Sequence, residues 1–324
     1  MSGFGLRLAL AAAAAALPAT LALAQSYPAK PVRLVVTGPP GSVTDVRARW
    51  LSDKLTPVLG QPLVVDNRPG AGGNVGSAHA AKSPADGYTI LVVHQGTVAI
   101  NPHVYDNVGW DPLADLAPIT RIASNPLILA VHPSVPATST AELIALAKEK
   151  PGQLNYSSPG NGTPPHMAGE LFKRMAGIEV AHVPYKGGAP ALADLVAGRL
   201  TYSIEGPVIQ LPQVKAGRLR ALAVSSAQRV AALPELPTIA ESGVPGYEYV
   251  AWVGIAVPAA TPSIIVAKLY AGAATVLRSP ESREYFAAHG AEPGGETPEA
   301  FTAFIRAEHS KWGKVVREAG IKAE

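Results

Sequence analysis

Residues 157–170 read Ser-Ser-Pro-Gly-Asn-Gly-Thr-Pro-Pro-His-Met-Ala-Gly-Glu. A glycine turn ends in a hydroxyl and two prolines and then becomes an amphipathic run. Met167, Leu171, Phe172 and Met175 recur there at helical spacing. Thr163 suits an N-cap and Pro164 the first helical position. Amides on the glycines and at the helix start then face one point in space, an arrangement that attracts a carboxylate or a phosphate. Asn161, Gly162 and Thr163 supply amides, one hydroxyl and a helix dipole worth roughly 0.3–1 kcal/mol to an exposed charge. A second construction of this kind, Gly38-Pro39-Pro40-Gly41-Ser42-Val43-Thr44-Asp45, follows the first strand candidate. Two anion-type loops far apart in the chain predict a cleft between two lobes.

Each candidate also has a plainer reading. Gly41, Ser42 and Thr44 fit a strand-to-helix turn with an N-cap. Asp45 would repel an anionic ligand, so a bracing role or a contact through water is expected of it. His166, one turn into its helix, either meets ligand or bonds a neighbouring loop. Gln95, Gly96 and Thr97 follow a strand, where open sheets place ligands, but an ordinary turn uses the same residues. Glu205 serves a polar ligand group or braces a cleft loop. Lys186 pairs with a ligand anion, with solvent or with the other lobe. Trp252, on an apolar strand, is core or pocket wall. The glycines at 70, 72, 73 and 76 superficially resemble a dinucleotide fingerprint, yet no ribose-binding acid follows in the right context, so a structural turn is expected.

Catalytic and metal chemistry find little purchase. There is no G-x-S-x-G elbow and no H-E-x-x-H, and the eight histidines show no ligand pairing at helical spacing. No catalytic residue, metal or cofactor is assigned. The absence of cysteine excludes thiol nucleophiles, thiolate zinc sites and iron–sulfur clusters. A serine–histidine–aspartate set assembled from distant positions keeps an exported hydrolase as an alternative. The formal net charge is +3, without lysine–arginine blocks or basic–aromatic alternation, so nucleic acid is not an expected partner.

The elements that must position these loops alternate. Val32–Val36 reads as a buried strand, and Val46, Trp50, Leu55 and Val58 as a helix ending at Gly60. Leu63–Val65, Tyr88–Val93 and Leu127–Val131 are further strands. Ser139-Thr140-Ala141-Glu142 is a capping box. Asn155–Ser157, Val180–Val183, Leu200–Ile204 and Leu219–Val224 form a second strand set, and Tyr249–Val257 is a long apolar strand. The last helix carries a stripe through Phe301, Ile305, Trp312 and Val316, with Glu308 expected at its edge. Alternation of this kind predicts an α/β fold with mainly parallel sheets flanked by helices. Arg7, the apolar run from Leu8 to Leu17 and Ala22-Leu23-Ala24 read as a signal peptide over 1–24, which implies export.

Several motifs lie in one order along the rest of the chain. They include Tyr27-Pro28-Ala29-Lys30-Pro31, Asn67-Arg68-Pro69-Gly70, Asp86-Gly87-Tyr88-Thr89 and Ala99-Ile100-Asn101-Pro102. Leu154-Asn155-Tyr156-Ser157, Gly160-Asn161-Gly162-Thr163, His182-Val183-Pro184-Tyr185-Lys186-Gly187, Leu219-Arg220-Ala221-Leu222-Ala223-Val224 and Leu236-Pro237-Thr238 continue the series. Together they resemble the Bug-type extracytoplasmic solute receptors, the binding components of tripartite tricarboxylate transporters.

The resemblance implies a periplasmic-binding-protein fold of two lobes joined by a hinge. One lobe would comprise 25–125 plus 249–324 and the other 126–248, with crossings near 122–126 and 246–250. It further implies a periplasmic monomer that closes on a small organic acid and presents it to the membrane permease subunits. A ligand-sensing receptor for a membrane signalling protein is the alternative partner reading. Carried over from the family, Pro39, Pro40, Gly41 and Ser42 with Asp45, and Asn161, Gly162 and Thr163, would hold a carboxylate largely through neutral donors. Gly38 stands where the family often has an aromatic, His94-Gln95 where it often has serines, and Glu205-Gly206 where it often has aspartate-asparagine.

Overall fold

A computed structural model describes residues 27–230 and 233–319. The signal-peptide reading of 1–24 lies outside the described residues. The chain opens with β1 (Val32–Val36), α1 (Val43–Leu59), β2 (Leu63–Asn67), a 3-10 turn at Ala71–Gly73 and α2 (Asn74–Ala81). β3 (Thr89–His94) follows, then a π-helical turn (Gly96–Ile100), a short helical turn (Asn101–Val104), β4 (Leu116–Pro126) and β5 (Ile128–Val131). Next come α3 (Thr140–Glu149), β6 (Asn155–Ser158), α4 (Pro164–Ala176), β7 (Ala181–Pro184) and α5 (Gly188–Val196). β8 (Tyr202–Glu205), α6 (Pro207–Lys215), β9 (Arg220–Val224) and β10 (Val250–Pro258) precede α7 (Ser263–Leu277), α8 (Pro280–Ala288), β11 (Glu292–Pro293) and α9 (Pro298–Ala319).

Local chemistry sets the helix ends. Ser42 caps α1 by accepting the Asp45 amide at 3.3 Å, and Gly60 closes it in the left-handed conformation. Ser139 caps α3 by accepting the Glu142 amide, and the Glu142 carboxylate turns back to the Thr138 amide at 2.6 Å. Valine- and leucine-rich strands such as β1 and β3 are buried almost throughout, as strands covered on both faces must be.

Two sheets result. One has the order β11-β4-β10-β3-β1-β2, the other β7-β6-β8-β5-β9. The α/β architecture of two helix-flanked sheets matches the expectation, but the sheets are mixed rather than mainly parallel. Strands joined through crossover helices pair in parallel: β1 with β2 and β3, and β6 with β7 and β8. The strands that carry the chain between the sheets pair antiparallel: β10 with β3 and β4, and β5 with β8 and β9. A strand that leaves one sheet for the other and returns must run back against its neighbour.

These crossings lie side by side. Only Leu127 separates β4 from β5, and Val250 pairs with Pro126. Ser225, fully buried just after β9, ties the crossings together. Its hydroxyl accepts the Leu127 amide at 2.7 Å and donates to the Tyr249 carbonyl at 2.5 Å. Its own amide donates to the Leu127 carbonyl, and its carbonyl accepts the Tyr249 amide.

Glu308 corrects the reading of the last helix. It is buried rather than at the stripe's edge. One carboxylate oxygen accepts from Gln95 Nε2 at 2.6 Å, Trp252 Nε1 at 3.1 Å and Trp312 Nε1 at 3.2 Å. Three N–H donors compensate the lost hydration that would otherwise keep a carboxylate out of a core.

Candidate functional site

A cavity of about 590 Å³ lies between the two sheets, within the range of small-ligand pockets. It sits beyond the carboxyl ends of β1, β3, β6, β7 and β8, where open α/β sheets place ligands. Five helices begin beside it. Val43 and Thr44 open α1, Gly73 precedes α2, Pro164 opens α4, Gly188 opens α5 and Glu205 stands just ahead of α6. Helix starts carry partial positive charge, and those not opened by proline also offer amides without intrahelical acceptors. The cavity therefore attracts anions with few charged side chains. Lys186 is the one lysine or arginine on its wall among the described residues.

The two loops divide that work unequally. In the first, the Asp45 carboxylate accepts the Gly41 amide at 2.9 Å, Arg49 Nε at 2.9 Å and Asn67 Nδ2 at 2.9 Å. Burial opposes its ionisation, but these partners prevail and hold its carboxyl below the usual carboxylate range. Asp45 thus braces the loop and does not line the cavity. Ser42, Val43 and Thr44 do, and the amides of Val43 and Thr44 take no part in the loop's own hydrogen bonds. Pro39 lines the cavity, whereas Pro40 and Gly41 stand behind it.

The second loop is largely satisfied internally, which narrows the expectation of bare amides. Gly160 N–H donates to Ser158 Oγ, Gly162 N–H to His166 Nδ1 at 3.2 Å, and Thr163 N–H to the Gly160 carbonyl. Prolines at 164 and 165 have no amide to give. Thr163 occupies the N-cap position, but its hydroxyl donates to the Gly160 carbonyl at 2.6 Å instead of capping. Asn161 and Thr163 line the cavity, while Gly162 and His166 lie behind. Burial lowers His166 to about 4, so its ring is neutral and accepts the Gly162 amide. Gly162 has φ +74°, a conformation that favours glycine, and packs on Asn101.

After β3 the cavity-lining residue is His94, not the three that come after it. Gly96 donates its amide to His94 Nδ1 at 3.0 Å. Thr97 Oγ1 donates to the His94 carbonyl, and Gln95 turns to Glu308. Burial lowers His94 to about 4 and keeps it neutral. Gln95, Gly96 and Thr97 support His94 and the wall from outside the cavity.

Next to Gly206, which packs against Val43, Glu205 lines the cavity at the end of β8. It is 8% exposed and is the one acid on the wall among the described residues. Its Oε1 accepts the Gly206 amide at 2.7 Å. Burial pushes its carboxyl up to about 7, against the opposing Gly206 bond. Thr37 and Asn125 also line the cavity, and Thr37 Oγ1 and Asn125 Nδ2 are buried without a partner among the described residues. Trp252 is wall and core at once, meeting Phe301 and Phe304 edge-on behind the cavity.

Sequence reasoning gave Thr37, His94, Tyr105 and Asn125 no place in the site, although it noted His94 as a departure from the family pattern, and it read Pro69–Gly73 as a structural turn although those residues line the cavity. Thr37 and His94 carry a usable signal as strand-end residues. Asn125 carries none, because only the crossing of β4 into β5 brings it to the cleft.

The lobes meet around the cavity. Tyr105 OH donates to the Asn161 carbonyl at 3.0 Å. A methyl at Gly187 would lie 2.8 Å from Pro39 Cγ, and one at Gly206 would lie 2.8 Å from Val43 Cγ2. Contacts this close border the ligand space that lies between the lobes.

Known proteins share this arrangement. Rpa4515 of Rhodopseudomonas palustris, solved with adipate, is 42% identical, with a TM-score of 0.89 over 91% of this chain and 99% of that one. MatC from Rhodopseudomonas palustris, solved with bound malate, is 28% identical, with a TM-score of 0.85 over 90% of this chain and all of that one. Protein BugT of Bordetella pertussis is 38% identical over 300 residues, 92% of each chain. Residues 47–321 match the sequence family described as tripartite tricarboxylate transporter family receptor. With the two-lobed fold and the cleft between the lobes, these matches show that the chain belongs to the tripartite tricarboxylate transporter receptor family.

Proposed function

We propose that this protein is an exported solute receptor that captures a small organic acid between its lobes and delivers it to the membrane permease subunits of a tripartite tricarboxylate transporter. The observation that carries the reading is the inter-lobe cavity bordered by five helix starts, with a single lysine and no arginine on its wall among the described residues. Such a site suits a carboxylate held by neutral donors. Adipate and malate on two structural neighbours support the same ligand chemistry. We assign ligand contact to Pro39, Ser42, Asn161, Thr163 and Glu205 on the wall, with Pro40, Gly41, Asp45, Gln95, Gly96, Thr97, Gly162 and His166 holding those contacts in place.

Residues 25–125 plus 249–324 and residues 126–248 are the two closing bodies in this reading. Ligand touching both stabilises the closed state, the protein works as a monomer, and it performs no chemistry on its ligand. A thermal-shift screen of the full chain against small carboxylic acids tests the reading. A ligand at about 100 times its dissociation constant adds about 2.7 kcal/mol of stability. A clear hit recovered unchanged after incubation is the expected result. Conversion of the hit to a product overturns the receptor assignment in favour of an enzyme.

A further inference from the structure

Arg47 lies on the buried side of α1 and is 0% exposed. Its Nε, Nη1 and Nη2 are buried, and none has a hydrogen-bond partner among the described residues. The guanidinium stands over the ring of Phe286 at 4.8 Å and over that of Tyr285 at 5.8 Å, both on α8. Trp50, one turn further along α1, stacks on Tyr285 at 5.0 Å and meets Phe286 edge-on at 4.7 Å. Aromatic rings therefore close around one cation between α1 and α8. Arg47, Trp50, Tyr285 and Phe286 all stand apart from the cleft cavity and none of them lines it.

No acid of the two helices answers this charge. Asp45 is engaged by Gly41, Arg49 and Asn67. Glu281 pairs with Lys54, and Asp53 and Glu284 are exposed. His289 is turned to the Tyr285 carbonyl. The Tyr285 phenol is the neighbour that helps hold the charge, and a phenol brings no opposite charge of its own. Arginine cannot escape by losing its proton, as a buried lysine can. Ring faces attract the cation but leave its in-plane N–H groups without lone pairs to bond. A guanidinium buried without a counter-charge is among the most costly arrangements a core can hold. The same groups become a binding site once an anion is supplied.

We infer that Arg47 binds a small monovalent anion, of the size and charge of chloride, at a site between α1 and α8 that is separate from the cleft. A single-atom ion suits a place bounded by rings and served by one guanidinium. An oxyanion such as phosphate carries more acceptor oxygens than that one group can satisfy, and the rest would be stranded. The site does not depend on what the cleft holds.

The test is thermal unfolding of the full chain as chloride replaces fluoride at constant ionic strength, together with bromide soaks of crystals. Fluoride serves as the reference because its strong hydration opposes burial. Unmodified protein is compared with Arg47→Met, which keeps an unbranched side chain and removes the charge. The unmodified protein should gain about 3 °C or more at saturating chloride, relative to the variant, whose response gives the general effect of exchanging the two salts. In fluoride alone the variant should be the more stable of the two. Anomalous scattering should place a bromide within hydrogen-bonding reach of the Arg47 guanidinium. Equal chloride responses in the two proteins overturn the inference. A bromide at Arg47 without a chloride response is an adventitious ion only and overturns it as well. The bromide map needs no variant, and the lack of an ion at Arg47 there overturns the inference whether or not Arg47→Met folds.

Discussion

The Ser42 hydroxyl does two jobs, capping α1 and standing on the cavity wall. Ser42→Ala should therefore cost about 1 kcal/mol of stability and weaken carboxylate binding as well. Thr163→Ala loses only the bond to the Gly160 carbonyl within its turn, so binding should weaken with the fold retained. Denaturation and titration on both variants separate the two effects, and unchanged affinity in both would remove the two loops from the site. Glu205 makes a prediction of opposite sign. Its folded value of about 7 lies above the ordinary 4.5, so the folded state keeps a proton that the unfolded state releases. Stability from this group is full below about pH 4.5 and is lost as pH rises towards 7. Glu205→Gln should raise the stability of the ligand-free protein by up to about 3 kcal/mol at pH 8 and change little at pH 4. Urea unfolding at the two pH values checks it. Among single residues, those governed by local turn chemistry were legible from sequence. Ser42 and Thr163 are marked as helix starts by the helical residues immediately after them, and Asp45 braces because a carboxylate near an anion site must be neutralised. Gln95 and Glu308 were not legible, because each depends on a partner more than fifty residues away, as in the Gln95–Glu308 bond.

At the scale of elements, the crossing between lobes depends on Ser225. Its hydroxyl satisfies the Leu127 amide and the Tyr249 carbonyl in a fully buried place. Ser225→Ala strands the Leu127 amide and should cost about 2–3 kcal/mol, read as a lower denaturant midpoint. Ser225→Thr, which restores the hydroxyl, should recover part of that loss. The strands themselves were readable: β1, β3 and β10 are valine-rich runs that occur close to the expected positions. Their pairing direction was not, because strand–helix alternation suggests parallel neighbours and says nothing about a strand that returns from another sheet. The loop at Pro69–Gly73 was undervalued for a similar reason. Its glycines look like a turn locally, and only the packing of β1 against β2 brings that turn to the cavity.

For the molecule as a whole, neutral histidines, His94 and His166 buried and His182 half-buried, set the response to acid. Burial lowers His94 and His166 to about 4 and His182 to about 3, below the usual 6.5. Here the unfolded state binds protons that the folded state refuses, so stability is full above about pH 6.5 and falls as pH drops towards 4. Glu205 works in the other direction, but it is one group against three. The expected outcome is a urea midpoint that declines between pH 6.5 and 4, and a flat midpoint across that window would place the histidines in contact with water. His166 and His182 stack at 4.3 Å on the second lobe, so His182→Gln should flatten part of the decline without touching the His94 share.

The order of strands in the first sheet also governs when the protein becomes able to fold. β10 lies between β3 and β4, so the strand that joins the two halves of that sheet is made after the whole second lobe. Until β10 arrives, β3 presents an open edge and β4 has no earlier strand beside it. The second sheet, by contrast, takes all its strands from one unbroken stretch of chain. During synthesis the central lobe can therefore mature while the flanking one waits. The binding cleft comes into existence only when the final part of the polypeptide is laid down.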